Sequence, residues 1–257
     1  MELTEAKNAA LSWIKPASRE TLRYFRGNFK VENKADQSPV TIADKNTEEI
    51  LRKNIARDFP KHGIIGEEFG SESKSSQWVW TIDPIDGTRS FIRGLPFYAI
   101  LLCLLHKNKP VMGVVSFPAL GETFWAAKNL GAWSNERKLK VSNESRIENA
   151  FTATADLHCF REKRRLGLYR KLQKKAGLLR TYPDAFGHMM AICGRVDVMV
   201  DPWAYIWDFA PFQILASEAG GSFANFTGNH PRMDEGSAIV GNKKLVGTIR
   251  KMLANGK

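Results

Sequence analysis

Amphipathic stretches alternate with short apolar runs along this chain. Apolar residues recur at three- and four-residue spacing over 2–26, 41–58, 161–176, 184–194, 208–220 and 242–254, which predicts helices there. Pro16 is a candidate interruption of the first. In the second, Ile50, Leu51 and Ile55 share one face. The helix from 208 buries Phe212, Leu215, Ala216 and Ala219 and stops at Gly220-Gly221, a suitable C-terminal signal. Runs rich in β-branched and aromatic residues predict strands near 64–66, 78–82, 97–106, 110–117, 122–127, 150–154, 196–200 and 237–240. Gly131-Ala132-Trp133 and Lys138-Leu139-Lys140-Val141 suggest a hairpin. The polar stretch Ser142-Asn143-Glu144-Ser145 is the best internal boundary and divides 1–145 from 146–257. No long linker separates these halves, so they are expected to pack closely.

The chemistry concentrates at Asp83-Pro84-Ile85-Asp86-Gly87-Thr88. The segment follows the apolar run Trp78 to Ile82, so two carboxylates are expected to leave the end of a strand three residues apart. Proline stiffens the link between them, and glycine permits a tight turn with close backbone approach. Hard divalent cations take oxygen ligands, and Asp83, Asp86 and the Ile85 carbonyl are spaced to surround one. Gly87 and Thr88 open a helical pattern, whose N-terminal amides suit an anion. Metal carboxylates beside an anion site suggest phosphate-ester chemistry. The plain alternative is a turn, since Asp-Pro and Asp-Gly are common turn pairs.

Other acids each have a structural explanation when taken singly. Glu67 and Glu68 end the run from Ile64. Asp208 lies at a helix N-terminal edge, where it could cap. Asp44 falls in the first turn of the helix that Ser38-Pro39-Val40-Thr41 opens, where a negative charge suits the dipole. Pro211 is expected in the first turn of its helix, where proline costs little.

Together, Gly66-Glu67-Glu68, the Asp83 to Thr88 signature and Trp207-Asp208 resemble, in order and spacing, the inositol monophosphatase family of magnesium-dependent phosphomonoesterases. Lys34 through Asp44 is similar to the family's lysine-to-aspartate segment, although slightly shorter than in some relatives. The resemblance covers nearly the whole chain. It implies an α/β fold, a layered α-β-α-β-α sandwich, with the site between the halves. It further implies that Glu67, Asp83 and the Ile85 carbonyl hold one Mg2+, that Asp83, Asp86 and Asp208 hold a second, and that Glu67 reaches a third through water. Thr88 and Asp44 are then the pair that orients the attacking water. The amides of Gly87 and Thr88 grip phosphate, and no covalent phosphoenzyme is expected. A homodimer is also implied.

Residues beside the signature bear on the alcohol. Arg89-Ser90-Phe91-Ile92-Arg93-Gly94 looks more like the histidinol-phosphate phosphatases of this family than the inositol phosphatases, with Arg93 before the glycine. Thr181 to Gly187 stands where inositol phosphatases carry a small turn, and Asp184 adds a carboxylate there. Asp201 lies near the family's substrate-contacting acid. With Asp86, these acids would favour a cationic alcohol such as histidinol over a neutral polyol. The plain alternatives are that Asp184 caps a helix and that Asp201 is a turn residue before Pro202. An inositol or broader sugar-phosphate phosphatase is the second reading; a nucleotide 3′-phosphatase and a non-catalytic binding protein rank below it.

Composition narrows the rest. A chain of 257 residues is long enough for a sizeable core. Cys103, Cys159 and Cys193 have no metal-ligand spacing, argue against a disulfide scaffold and suit a reducing cytosol. No signal pattern or membrane-length apolar run is evident, so a cytoplasmic location is expected. The five histidines form no ligand pair, and His188, near the expected pocket, reads first as a packed or surface residue. The net charge of +11 would attract anionic substrates, nucleic acid or acidic lipid alike. Segment 161–175 carries eight Lys and Arg against one Glu. It reads first as a solvated amphipathic helix and second as an RNA contact.

Overall fold

A computed structural model describes residues 3–72, 75–182, 184–228 and 236–254. Glu2 and Pro183, part of the expected first helix and pocket turn, lie outside those residues. The helices are α1 (Leu3–Tyr24), α2 (Ile42–Asp58), α3 (Thr88–Ile92), α4 (Leu157–Glu162), α5 (Leu166–Lys175), α6 (Asp184–Ile192), α7 (Ile206–Glu218) and α8 (Lys243–Ala254). The strands are β1 (Val31–Asn33), β2 (Pro39–Thr41), β3 (Gly63–Gly66), β4 (Gly70–Glu72), β5 (Trp78–Asp86), β6 (Ala99–His106), β7 (Lys109–Phe117), β8 (Glu122–Ala127), β9 (Gly131–Ser134), β10 (Arg137–Lys138), β11 (Phe151–Thr154), β12 (Leu178–Thr181), β13 (Val198–Asp201), β14 (Ser222–Ala224) and β15 (Ala238–Gly241).

Eight strands form one sheet in the order β10-β9-β8-β7-β6-β5-β3-β4, and five form a second in the order β12-β11-β13-β15-β14. The period-two rule explains the layering, because successive side chains of a strand face opposite sides. In β6, Ile100, Leu102 and Leu104 join a core with Trp13, Ile14, Leu51 and Ile55 of α1 and α2. The intervening Leu101 faces a second core with Met189 of α6 and Phe209, Phe212 and Leu215 of α7. On the far side of the second sheet, Val198 and Val200 pack with Phe160, Leu168, Leu172 and Ile249 of α4, α5 and α8. The layers therefore run helix, sheet, helix, sheet, helix, as the resemblance implied.

Several expectations change in detail. Pro16 sits inside α1 without ending it. The helix expected over 161–176 is two helices, because Arg164 takes a left-handed backbone (φ 55) between them. Pro211 lies within α7 rather than in its first turn. It packs against Gly113 of β7, where a Cβ would lie 2.9 Å from the Pro211 Cα. Residues 139–146, around the expected boundary, form no helix or strand. Across that boundary α7 packs on both sheets, touching β5 to β8 and also β14 and β15. Among the described residues no helix is long and apolar enough to cross a membrane.

Candidate active site

Strand β5 does not stop before the two acids; it continues through Asp86. Its pairing with β6 is regular to Asp83↔Leu101 and resumes at Asp86↔Ala99, so β5 carries one extra residue. Pro84 lies in this bulge, where its missing N–H breaks no regular ladder. The bulge has a chemical result. Residues three apart on a regular strand face opposite sides; here the extra residue turns Asp83 and Asp86 toward the same place. Asp208 arrives from the first turn of α7, and one carboxylate oxygen from each of the three lies within 4.8 Å of the others.

A second set of bonds aims these carboxylates. The Ile85 N–H donates to Asp83 Oδ1 at 3.0 Å, the Ala185 N–H to Asp86 Oδ2 at 2.6 Å, and the Tyr205 N–H to Asp208 Oδ2 at 2.7 Å. Each acid thus has one oxygen held by backbone and a second left for a ligand. Burial pushes all three carboxyls well above the usual range, and repulsion from neighbouring acids adds to it. For Asp83 those neighbours are Glu67, Asp86 and Asp208. An all-oxygen, acid-rich set under mutual repulsion fits a hard divalent cation, which relieves the repulsion by binding.

Glu67 stands beside Asp83, but its Oε1 accepts from Lys34 Nζ at 2.7 Å. Lys34 also donates to Glu68 Oε1 at 2.7 Å. Burial alone would lower the Lys34 pKa; the two glutamates outweigh it and raise it. Burial pushes Glu68 up to about 7 against the pull of Lys34. Glu48 holds this acid loop, accepting from the Glu68 N–H at 2.8 Å and the Phe69 N–H at 3.2 Å. It is fully buried, and a Cβ at Gly66 would collide with its carboxylate. Sequence reasoning missed Glu48, whose helical position gives no sign that it serves a loop.

Asp44 is buried at the start of α2. Its Oδ2 accepts the Thr41 N–H at 2.8 Å, closing a capping box, so the bland expectation for this residue is met. Its Oδ1 accepts from Thr88 Oγ1 at 3.2 Å. That hydroxyl is also 3.0 Å from the Ile85 carbonyl oxygen. With its proton directed at these acceptors, Thr88 Oγ1 has lone pairs free to accept a hydrogen bond from water. Gly87 precedes α3 with φ 80, a conformation that disfavours a side chain. A Cβ there would also lie 3.1 Å from Asp184 Oδ2.

Asp184 opens α6 with a left-handed backbone (φ 56). Burial and Asp201 raise its carboxyl to about 6, with His188 acting in the opposite direction. Asp201 ends β13 and accepts the Trp203 N–H at 2.9 Å, so the turn expectation holds for its backbone setting. Its other oxygen, Oδ2, lies 3.4 Å from His188 Nε2. His188 is buried and not at the surface; it stacks on Phe212 with centroids 4.7 Å apart. Its place four residues after Asp184 was the available sequence signal. Arg93 follows α3 and is exposed.

The description "Inositol monophosphatase family" belongs to the family model that matches residues 2–255. A histidinol-phosphatase of Chlorobaculum parvum is 35% identical over 262 residues, spanning 99% of each chain. One from Streptomyces coelicolor is 36% identical over 239 residues, spanning 89% of each. The crystal structure of extragenic suppressor protein SuhB from Bartonella henselae superposes with a TM-score of 0.91 at 27% identity. That match covers 98% of this chain and 99% of the other.

Proposed function

The chain belongs to the inositol monophosphatase family of metal-dependent phosphoric monoester hydrolases, and from that premise we propose that it converts L-histidinol phosphate to L-histidinol and phosphate. The observation that carries the substrate reading is the acid Asp184, which stands next to Asp86 at the start of α6 and whose carboxyl is raised by nearby Asp201. Histidinol carries an ammonium group and an imidazole, which two acids favour over a neutral polyol. The histidinol-phosphatase relatives support the same choice. Arg93 enters this reading through its place in the motif.

In this reading Asp83, Asp86 and Asp208, with Glu67 and the Ile85 carbonyl, hold Mg2+, roughly two to three ions per site. When bound, the ions supply an activated water and stabilise charge on the leaving oxygen. The protein's part is orientation. Asp44 fixes the Thr88 hydroxyl, which would accept a hydrogen bond from the attacking water and so turn a water lone pair toward phosphorus. The Gly87 and Thr88 amides receive the phosphate, and the glycine lets it approach the backbone closely. Glu67 shares its charge between the ion and Lys34. A homodimer is part of the reading, and its mass in solution tests it.

Phosphate release from histidinol phosphate and inositol 1-phosphate, measured side by side with Mg2+ and with chelator, tests this function. A Mg2+-dependent preference for histidinol phosphate supports it. A preference for inositol 1-phosphate keeps the metal chemistry and overturns the reading of Asp184 and Asp201.

A further inference from the structure

His188 has no part in the chemistry described so far, yet its setting is unusual. The residue is 3% exposed, and its Nδ1 has no hydrogen-bond partner among the described residues. A buried ring nitrogen without a partner weakens a fold, so packing alone does not account for a histidine here. The ring is held flat on Phe212, at an interplanar angle of 19°. Nε2 lies 3.4 Å from Asp201 Oδ2, within ion-pair distance. Asp201 is itself 6% exposed, with Oδ1 taken by the Trp203 N–H. Backbone holds one oxygen and His188 faces the other, so rotation of the carboxylate is opposed on both sides. Asp184 lies one helical turn before His188 on α6, so one helix governs both acids.

We propose that His188 is a positioning residue, which acts through Asp201 to hold that carboxylate in the orientation that receives the cationic part of the substrate alcohol. This rests on the substrate reading above. A proton carried on Nε2 faces Asp201 as a donor, and the carboxylate keeps a charge to offer a cation. Buried groups that break a local rule beside a site are where selectivity is expected to be built.

The test is a cycle of His188→Phe, Asp201→Asn and the double variant in the full chain with Mg2+. Phenylalanine keeps the stacking on Phe212 and removes the unpartnered nitrogen. H188F is expected to keep or raise the melting temperature and leave kcat within about twofold. It should raise KM for histidinol phosphate about tenfold. His188→Gln, which restores a donor near the Nε2 position, should recover most of that loss. In the double variant the KM should equal that of Asp201→Asn alone, because one contact has been removed twice.

Additive KM losses in the cycle would overturn the proposal, whichever ester the parent enzyme prefers. An H188F variant that melts lower and loses histidinol phosphate and inositol 1-phosphate equally would also overturn it, by showing a packing role. A parent without preference for histidinol phosphate overturns the substrate reading instead, and the cycle is then read on the ester it does hydrolyse.

Discussion

At the scale of single residues, the site depends on carboxylates whose free oxygens point inward because backbone N–H groups hold the others. Asp83 is buried, and burial together with Glu67 and Asp86 raises its pKa, so a bound cation would favour its charged form. Asp83→Asn removes that charge with little change in shape. Turnover at saturating Mg2+ is expected to fall more than about 100-fold. Near-parental turnover would refute the ligand role. Asp184→Ala should raise KM for histidinol phosphate about tenfold more than for inositol 1-phosphate; equal changes for both would remove Asp184 from selectivity. The acids were legible in the sequence because their spacing repeats a family pattern. The place of His188 near the pocket was legible but its partner Asp201 was not, and Glu48 gave no sign at all, because only the fold brings Asp201 and the 68–69 backbone near them.

At the scale of elements, helices with a regular apolar face were readable from sequence, and so were the short apolar strands β3, β11, β13 and β15, but β1, β4, β12 and β14 were not. The missed strands lack an apolar run, and β1 and β4 are exposed along their length while β12 is exposed at three of its four residues. β5 misled for another reason. Asp-Pro reads as a strand end, but a bulge carries the strand past it. α7 shows how an element sets a site. Its approach to β7 uses the missing side chain of Gly113, which lies against Pro211. Gly113→Ala would press on that backbone and shift the helix that carries Asp208. A loss of about 1–3 kcal/mol is expected from overpacking, measured by urea denaturation. The same variant should bind Mg2+ more weakly. Unchanged stability would show that the α7–β7 contact yields freely.

For the whole molecule, the acids make stability depend on pH and cation together. Burial and mutual repulsion raise the Asp83, Asp86 and Asp208 carboxyls in the folded state, so above the ordinary aspartate range the fold binds more protons than the unfolded chain. Stability from these groups is therefore lost as pH rises through their folded pKa values. Asp184, at about 6, adds to the same trend. In chelator the melting temperature should fall between about pH 5 and pH 8, and Mg2+ should raise it more at the upper end. A chelated protein equally stable at both ends would contradict the repulsive cluster. The layered fold was legible through its family pattern. The shared core across 139–146 was visible only in how α7 packs on both sheets.

Asp83 and Asp86 sit in the first sheet, while Asp208 rides on a helix from much later in the chain. An ion held by all three would fasten two remote stretches of polypeptide at one point. Such a clasp acts on local opening as well as on global unfolding. Amide hydrogens in the first half of α7 should then exchange with solvent deuterium more slowly when Mg2+ is present. Those of α1, on the outer face of the larger sheet, should keep their rate. The substrate cleft would thus be the part of the molecule that is quietened by its own ion.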